Sequence, residues 1–221
     1  MSDKLVIRSY TPTRPLLSLS DKDNDGNEDG TFDIVVKTYF PTDAQPGGAL
    51  SNLLDCMKIG EEVEVRGPTG DIKYLGHGHF EINGTEHVFE KVTLVLGGSG
   101  ITPGYQLIGR ILELDDDKTQ VHVIDANKDE SAILLREDLD KFAKERGGEQ
   151  VKVTYVLSHP GDDWKGEKGH VNEEIIKKYG FGPEGGKSVA LLCGPPAMIQ
   201  KAALPALSDW GYEEGKNMFG F

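Results

Sequence analysis

The sequence predicts a two-part α/β protein, with a β-rich first part and a parallel sheet covered by helices on both faces. Two observations predict it. Short segments rich in β-branched and aromatic residues, bounded by Gly, Pro and Asp, occupy the first part of the chain. From residue 92 onward, hydrophobic strand patterns alternate with helical patterns, which is typical of a parallel sheet. A domain boundary is expected near residues 84–91, dividing the chain into residues 1–88 and 89–221.

Composition sets the broad class. The 221 residues are 37% hydrophobic and 28% charged, as in an ordinary soluble globule. The net charge of −13 argues against nucleic acid as a partner, because phosphates would be repelled. No apolar run approaches the ~20 residues that cross a bilayer, and no signal peptide is recognisable. Two distant cysteines do not form a disulfide framework, so we expect a reducing compartment, the cytoplasm.

The predicted strands of the first part are "KLVIRSYTP", "FDIVVKTYF" and "EEVEVRGPTG". In the second part, "KVTLVL", "QVHVID", "VKVTYVL" and "SVALLC" are predicted strands, and each precedes a helical pattern. The four predicted helices lie at about Pro103–Leu114, in "AILLREDLDKFAKERGG", in "NEEIIKKYG" and in "PAMIQKAALPALSDWG".

A glycine-rich turn follows the first strand of the second part. In "GGSGITP", Gly97, Gly98 and Gly100 leave backbone N–H groups free at a helix start, and Thr102 suits the N-cap. Such a turn favours a phosphate or another anion. The spacing is not the G-x-G-x-x-G fingerprint, because the third glycine is absent. A tight turn with no ligand is the alternative.

A second turn, "CGPPAMI", begins where a hydrophobic strand ends at Cys193. Ligands of open parallel sheets bind beyond the carboxyl ends of strands, where the strand order reverses. If the two turns flank that reversal, Cys193 faces a ligand held by the first turn. The alternative is a buried strand cysteine, which is the commoner situation.

Four further motifs are candidate sites. "RSYTP" offers a cation, an aromatic ring and a hydroxyl, which suit a flat ring and a phosphate, and "PGGALS" offers a second phosphate seat at a helix start. "DKDNDGNEDGTF" starts like a calcium loop, but Phe32 occupies the position of the bidentate Glu, so a solvated hairpin loop is predicted. His77 and His79 have no partner at ligand spacing, and no metal site is expected.

Taken in order, "RSYTP", "VVKTYF", "GGALS", "GPTG", "GGSGITP" and "CGPPAMI" resemble the ferredoxin-NADP-reductase-like flavoenzymes. Within them the chain is similar to the NAD(P)H-cytochrome b5 reductase branch, which includes the C-terminal flavin module of eukaryotic, especially fungal, nitrate reductase. The resemblance implies an antiparallel FAD-binding β-barrel, then a Rossmann-like parallel sheet of five strands that binds NADPH or NADH. It also implies a cytochrome b5-type haem domain or protein as the electron acceptor.

The resemblance also assigns residues. It places Arg8 at the flavin pyrophosphate, Tyr10 on the isoalloxazine and Thr11 near its reactive edge. Cys193 places the nicotinamide, and Cys193, Thr11 and Lys37 are the expected catalytic residues. The other expected cofactor-binding residues, besides these five, are Ser9, Val35, Val36, Thr38, Tyr39, Phe40, Gly48, Ala49, Leu50, Ser51, Gly97, Gly98, Ser99, Gly100, Thr102, Asn127, Lys128, Ser158, Gly194, Pro195, Pro196 and Met198.

Three expectations follow. Only seven residues precede Arg8, so the barrel is expected to be incomplete at its N-terminus. NADPH is expected over NADH, because Ser158 stands where an acid would repel a 2′-phosphate, although Asp125 leaves the matter open. The function expected is an NAD(P)H-dependent flavin reductase serving nitrate reductase. A stand-alone cytochrome b5 reductase and a non-catalytic nucleotide-binding remnant are the alternatives.

Overall fold

The structure is a computed structural model that describes residues 6–14, 31–43 and 45–221. The first regular element is helix α1, Ala49–Cys56. A small antiparallel sheet follows, formed by β1 (Ile72–Gly76), β2 (His79–Ile82) and β3 (Thr85–Val88) in the order β1-β2-β3. None of the described helices is long and apolar enough to cross a membrane.

The second part is a six-stranded parallel sheet with the order β7-β6-β5-β4-β8-β9. Its strands are β4 (Lys91–Gly97), β5 (Gln120–Asn127), β6 (Val151–Leu157), β7 (Glu167–Lys168), β8 (Ser188–Cys193) and β9 (Met218–Gly220). The helices are α2 (Ile101–Leu112), α3 (Arg136–Lys144), α4 (Glu173–Tyr179), α5 (Pro196–Met198) and α6 (Leu204–Trp210), with a π-helical stretch, Ile199–Ala203, between the last two.

The two-part arrangement predicted from the sequence is confirmed, with two corrections. The parallel sheet has six strands and not five, because the edge strands β7 and β9 have only two and three residues and are too short for a periodic pattern. The strands predicted at 4–12, 32–40 and 61–70 do not form among the described residues. Only a bridge between Pro12 and Ile34 pairs the first two. Strand propensity reflects how well side chains pack on a paired, half-buried sheet. Residues 61–70 have no strand partner among the described residues, and Val63 and Val65 accordingly stay exposed.

Two predicted helices are interrupted for local reasons. Before α3, the Asp129 side chain accepts a hydrogen bond from the Ala132 N–H, and this closes a short 3-10 turn. Leu135 then adopts a left-handed conformation, φ 55°, so the helix begins only at Arg136. In the last helical segment, Pro205 has no N–H to offer the preceding turn, and the π-helical stretch lies just before it.

The hydrophobic core lies on both faces of the parallel sheet. One cluster contains Leu94 and Leu96 of β4 with Ile108 and Ile111 of α2. The other contains Val95, with side chains from α4 and α6. Phe80 and Ile82 of β2, almost fully buried, belong to the first cluster. The small antiparallel sheet therefore shares its core with the parallel sheet, and the division at residues 88 and 89 stays a prediction.

A polar cluster fixes the small sheet to the segment before β5. The Tyr74 hydroxyl donates to Asp117 Oδ2 at 2.5 Å, and the backbone N–H of His77 donates to the same oxygen at 2.8 Å. Thr119 supplies a third bond, from its backbone N–H to Asp117 Oδ1. Burial alone would raise the pKa of Asp117, but the hydrogen bonds from Tyr74 and Thr119 bring it below its ordinary value. Asp117 is thus a buried, hydrogen-bonded carboxylate that joins the two sheets.

We predict that Tyr74→Phe lowers the free energy of unfolding by about 1–3 kcal/mol, because it removes a donor from a buried carboxylate. Chemical denaturation at neutral pH measures the change. Tyr105→Phe is the matched control, since Tyr105 packs against Phe142 and the structure gives its hydroxyl no hydrogen bond to a described residue. Equal losses in both variants would show that the Asp117 contact does not stabilise the fold.

Candidate dinucleotide and flavin site

The two glycine turns predicted from the sequence meet at one edge of the parallel sheet. β4 lies between β5 and β8, and Leu96 is in register with Cys193. The chain adds β5, β6 and β7 on one side of β4 and then returns to add β8 on the other. The strand order therefore reverses between β4 and β8, which is where open parallel sheets bind ligands.

The contact between these turns leaves no room for side chains. A Cβ on Gly97 would lie 2.8 Å from Cδ of Pro195 and 3.0 Å from Sδ of Met198. A Cβ on Gly100 would lie 2.5 Å from the carbonyl oxygen of Cys193, which is backbone and cannot move aside. Both glycines are thus required by the packing of one turn on the other.

Gly98 differs from its neighbours and supports a ligand seat. It has φ 56°, and a Cβ built on it meets no atom within 4 Å. Its backbone therefore borders open space at the start of the 3-10 turn Gly98–Gly100, which continues into α2. A bare backbone surface at a helix start fits an anionic pyrophosphate. The residues present therefore fit a dinucleotide.

The predicted N-cap role of Thr102 is wrong. The 3-10 turn precedes α2, so Thr102 lies in the second position of the helix and not before it. Its hydroxyl donates to the carbonyl oxygen of Ser99 at 3.1 Å and so stabilises the turn itself.

Cys193 ends β8 with its side chain partly buried against the first core cluster. Burial raises the pKa of its thiol, so the sulfur stays protonated near neutral pH and is a poor nucleophile. Both cysteines are free. This position suits contact with a flat ring and does not suit covalent chemistry.

The segments expected to hold the flavin lie side by side. The Pro12–Ile34 bridge and a 2.9 Å bond from the Thr13 N–H to the Asp33 carbonyl join residues 8–13 to residues 33–40. Arg8 is exposed, and among the described residues it donates only to the neighbouring Ile7 carbonyl, at 2.7 Å. Tyr10 and Thr11 are half-buried.

Helix α1 docks on the second of these segments. The Tyr39 carbonyl accepts bonds from the Gly48 N–H and the Asn52 side chain, both at 2.8 Å. The Ser51 hydroxyl accepts from the Tyr39 N–H at 3.3 Å. The side chains of Tyr39 and Phe40 remain 53% and 62% exposed, an apolar surface of the kind a bound cofactor covers. The remaining residues expected along these segments are Ser9, Val35, Val36, Thr38, Ala49 and Leu50.

Lys37, on the same segment as Tyr39, interacts electrostatically with the parallel sheet. It lies near enough to Asp125 of β5 for its positive charge to lower the pKa of that carboxyl. Asp125 is fully buried, and Asn127, two residues on, donates to it. Sequence reasoning noted Asp125 but did not place it among the site residues. An aspartate inside the otherwise apolar strand "VHVIDAN" is the signal that could have done so.

The ends of β5 and β6 bring the residues predicted to select the nucleotide together. The Ser158 N–H donates to the Asn127 carbonyl at 3.1 Å, and the His159 N–H donates to the Lys128 carbonyl at 2.7 Å. The Ser158 hydroxyl lies 2.9 Å from Nδ1 of His159. This cluster presents a hydroxyl and two basic side chains, with no carboxylate at position 158.

A cleft of about 540 Å³ lies elsewhere, beside β6 and β7. Its aromatic wall is covered by Arg136, whose guanidinium lies 5.6 Å from the ring centres of both Tyr155 and Trp164. Trp164 also donates from Nε1 to the Glu167 carbonyl at 3.0 Å.

Within residues 6–14, 31–43 and 45–221, no three His, Cys, Asp or Glu side chains are grouped to hold a metal ion. His77 lies 3.1 Å from Asp116. Residues 21–30, most of the stretch compared with a calcium loop, lie outside the described residues.

Two family models match the chain. The oxidoreductase FAD-binding domain matches residues 1–74, and the oxidoreductase NAD-binding domain matches residues 94–203. Together with the antiparallel and parallel sheets, these matches define an NAD(P)H-dependent flavin oxidoreductase of the ferredoxin-NADP-reductase type, whose cofactors are FAD and NAD(P)H.

Individual relatives narrow the family. The crystal structure of the cytochrome b5 reductase domain of Ulva prolifera nitrate reductase aligns with a TM-score of 0.88 and 32% identity, over 100% of this chain and 81% of that one. The chain belongs to this family, the cytochrome b5 reductase domains of nitrate reductases. It is 41% identical to the NADH nitrate reductase of Spinacia oleracea over 96% of its length, and 35% identical to the NADPH enzyme of Aspergillus niger, also over 96%. It spans 22% and 23% of those two proteins.

We predict that Gly100→Ala disrupts the site, because its methyl group would meet the Cys193 carbonyl at 2.5 Å. A clash of this kind in a packed interior costs about 1–3 kcal/mol, and nucleotide binding should weaken with it. Denaturation and titration with NADP+ measure the two effects. Gly109→Ala, in the following helix α2 with open space around it, is the control, and it should stabilise by up to about 1 kcal/mol. A neutral Gly100→Ala would disprove the packing argument.

Proposed function

We propose that this chain is the reductase module of an assimilatory nitrate reductase. It takes a hydride from NAD(P)H and passes electrons singly to a cytochrome b5-type haem domain. The observation that carries the proposal is the meeting of the two glycine turns at the reversal of strand order. The relatives named above are nitrate reductases, which supports the haem acceptor. The two free cysteines suit a reducing compartment, for which we propose the cytoplasm.

In this proposal the protein contributes binding, orientation and exclusion of water. Bound FAD would supply the redox chemistry, since a flavin can accept the two electrons of a hydride and release them one at a time. Gly98 would give the nucleotide pyrophosphate an open backbone surface, and Gly97 and Gly100 would hold that surface in place by packing against the opposite turn. Cys193, with Gly194, Pro195, Pro196 and Met198, bounds the position of the nicotinamide. No acid–base pair is needed, and none of these residues has to exchange a proton.

The flavin would rest on the exposed aromatic surface of the first part. Arg8 directly precedes the "SYT" stretch, and its one hydrogen bond to a described residue is to the neighbouring Ile7 carbonyl, which leaves its guanidinium able to turn toward a pyrophosphate. Helix α1 begins at Ala49 directly after Gly48, and its start is fixed to Tyr39. Lys37 would contribute positive charge beside the cofactors, since its charge already acts on Asp125 near the end of β5.

The proposal is tested with the purified chain reconstituted with FAD. Its flavin absorbance should bleach on addition of NAD(P)H without oxygen, and a cytochrome b5 haem domain should then be reduced in single-electron steps. A chain that binds FAD but never bleaches would be a nucleotide-binding remnant. Bleaching with no transfer to the haem would contradict the proposed acceptor and leave the reductase itself.

We predict that Cys193→Ser keeps the bound-FAD spectrum while flavin reduction by NAD(P)H slows about 10-fold or more, because a small displacement of reacting rings costs rate steeply. Stopped-flow absorbance at saturating nucleotide measures it. Cys56→Ser, at an exposed thiol at the end of α1, is the control and should leave the rate unchanged. An unchanged rate in Cys193→Ser would restrict Cys193 to core packing.

We further propose a preference for NADPH, supported by the basic side chains of Lys128 and His159 beside Ser158. We predict that Ser158→Asp lowers kcat/KM for NADPH about 10-fold, since a carboxylate beside a 2′-phosphate costs on the order of 1.4 kcal/mol or more. The value for NADH should hold or rise. Ser131→Asp, at an exposed 3-10 turn, is the control. A wild-type chain that favours NADH would refute the proposed preference.

A further inference from the structure

Two polar side chains near the end of β5 are buried with half of their hydrogen-bonding capacity unused. Asp125 is 0% exposed and Asn127 is 9% exposed. Being two residues apart on a strand, they project from the same face. Asn127 Nδ2 donates to Asp125 Oδ2 at 2.9 Å. The second carboxyl oxygen of Asp125 and the single amide oxygen of Asn127, both named Oδ1, are buried and accept a bond from no described protein donor.

The charges around Asp125 do not compensate an ionised carboxylate. Among the described residues, two groups with ionisable side chains act on it: Lys37 from the flavin segment, and Tyr155 on β6, which is in register with it. No described cation lies within ion-pair distance, 4.0 Å, of its oxygens. Tyr155 donates its hydroxyl to Asp140 instead, at 2.8 Å. A buried carboxylate without a counter-ion is costly, so such groups take up a proton.

One proton would satisfy both unused oxygens. A carboxylic acid and a primary amide can pair through two bonds, N–H to carboxyl oxygen and O–H to amide oxygen. The first of these is present here. The atoms left over are two acceptors with no donor between them, which is the pattern expected when the donor is a hydrogen on Asp125. Burial raises the pKa of Asp125 to about 7, against smaller opposite effects from Asn127 and Lys37.

We propose that Asp125 holds a proton in the folded protein, shared with Asn127 as an acid–amide pair, and that this proton is linked to binding of the anionic dinucleotide. The linkage rests on the proposed function, and the proton itself does not.

The link to the nucleotide runs through the ends of β5 and β6. The Asn127 backbone carbonyl accepts from the Ser158 N–H, and the Lys128 carbonyl accepts from the His159 N–H, so the strand end that carries the pair is bonded directly to the segment that would contact the nucleotide. Ionised Asp125 would add a negative charge near Lys37 and Lys128, the cations available to phosphates. Phosphate binding therefore favours the protonated form, and by linkage protonation favours phosphate binding.

The direction of the pH dependence follows. The folded state holds this proton up to about pH 7, whereas an unfolded aspartate loses it near pH ~3.9. Between these values the folded state binds more protons, so the contribution of Asp125 to stability falls as pH rises. Nucleotide affinity should likewise fall as pH rises through the folded pKa, by about tenfold if binding raises that pKa by about one unit.

Infrared spectroscopy of the FAD-loaded chain tests the proton directly. Wild type should show the carbonyl stretch of a protonated carboxylic acid that disappears on titration near pH 7. Asp125→Asn, an isosteric amide that can still form both bonds to Asn127, should lack the band at every pH. Asp209→Asn, at an exposed carboxylate on α6, should keep it. If Asp125→Asn does not fold, Asn127→Ala serves instead, since loss of the amide partner should shift the band to higher frequency.

Calorimetric titration with NADP+ near pH 7.5, in two buffers of different ionisation enthalpy, tests the linkage. Wild type should take up part of a proton on binding that Asp125→Asn does not. A chain with no protonated-acid band at pH 5.5 would overturn the whole proposal, whatever the chain does with NADPH. A band that titrates as expected, with equal proton uptake in both proteins, would overturn the linkage alone.

Discussion

The contact between the Gly97–Gly100 turn and the backbone of Cys193 and Gly194 determines how the rest of the site is arranged. The turns leave neighbouring parallel strands, β4 and β8, at the same height, because Leu96 and Cys193 are in register. They can touch only if the facing residues have no side chains, since added Cβ atoms would lie 2.5–3.0 Å from the opposite turn. The thiol of Cys193 and the open backbone of Gly98 are consequently held at the same end of the sheet. Any ligand bound to one turn must lie beside the other.

The α/β half could be predicted from the sequence because its signals are local. Each long strand carries its own hydrophobic run, and each is followed by a helix whose apolar positions repeat at helical spacing. The β-rich half could not, because a strand exists only through its partner. Residues 61–70 have strong strand propensity and no ladder, whereas residues 72–88 have a polar, glycine-interrupted pattern and form a sheet. What stabilises that sheet is distant in sequence: Phe80 and Ile82 enter the core beside α2, and Tyr74 bonds to Asp117.

The candidate site shows the same division. The glycine turn at 97, 98 and 100 was predictable because clustered glycines between a strand pattern and a helix pattern indicate a turn. The sequence did not show which glycine makes room for the opposite turn and which for a ligand. That distinction depends on where Pro195 and Met198 lie in the fold. Asp125, in contrast, was visible in the sequence as an exception to the strand pattern. One polar residue inside an apolar strand violates the local pattern, and its meaning emerges only when the partners of both carboxyl oxygens are known.

The strand order also has a kinetic consequence. β4 gains β5 as a neighbour soon after both are synthesised, but its other neighbour, β8, is one of the last strands made, and β9 pairs with β8 later still. During synthesis, a chain in which Gly97 has left the ribosome but Cys193 has not therefore has one unpaired edge on β4. Its first glycine turn also lacks the second turn, against which it packs. Pairing between segments so far apart delays folding and leaves apolar strand edges exposed meanwhile. Removal of the last residues deletes β9, which pairs with β8. Such a truncation should consequently impair pairing of the central strand β4, and not merely remove a peripheral element.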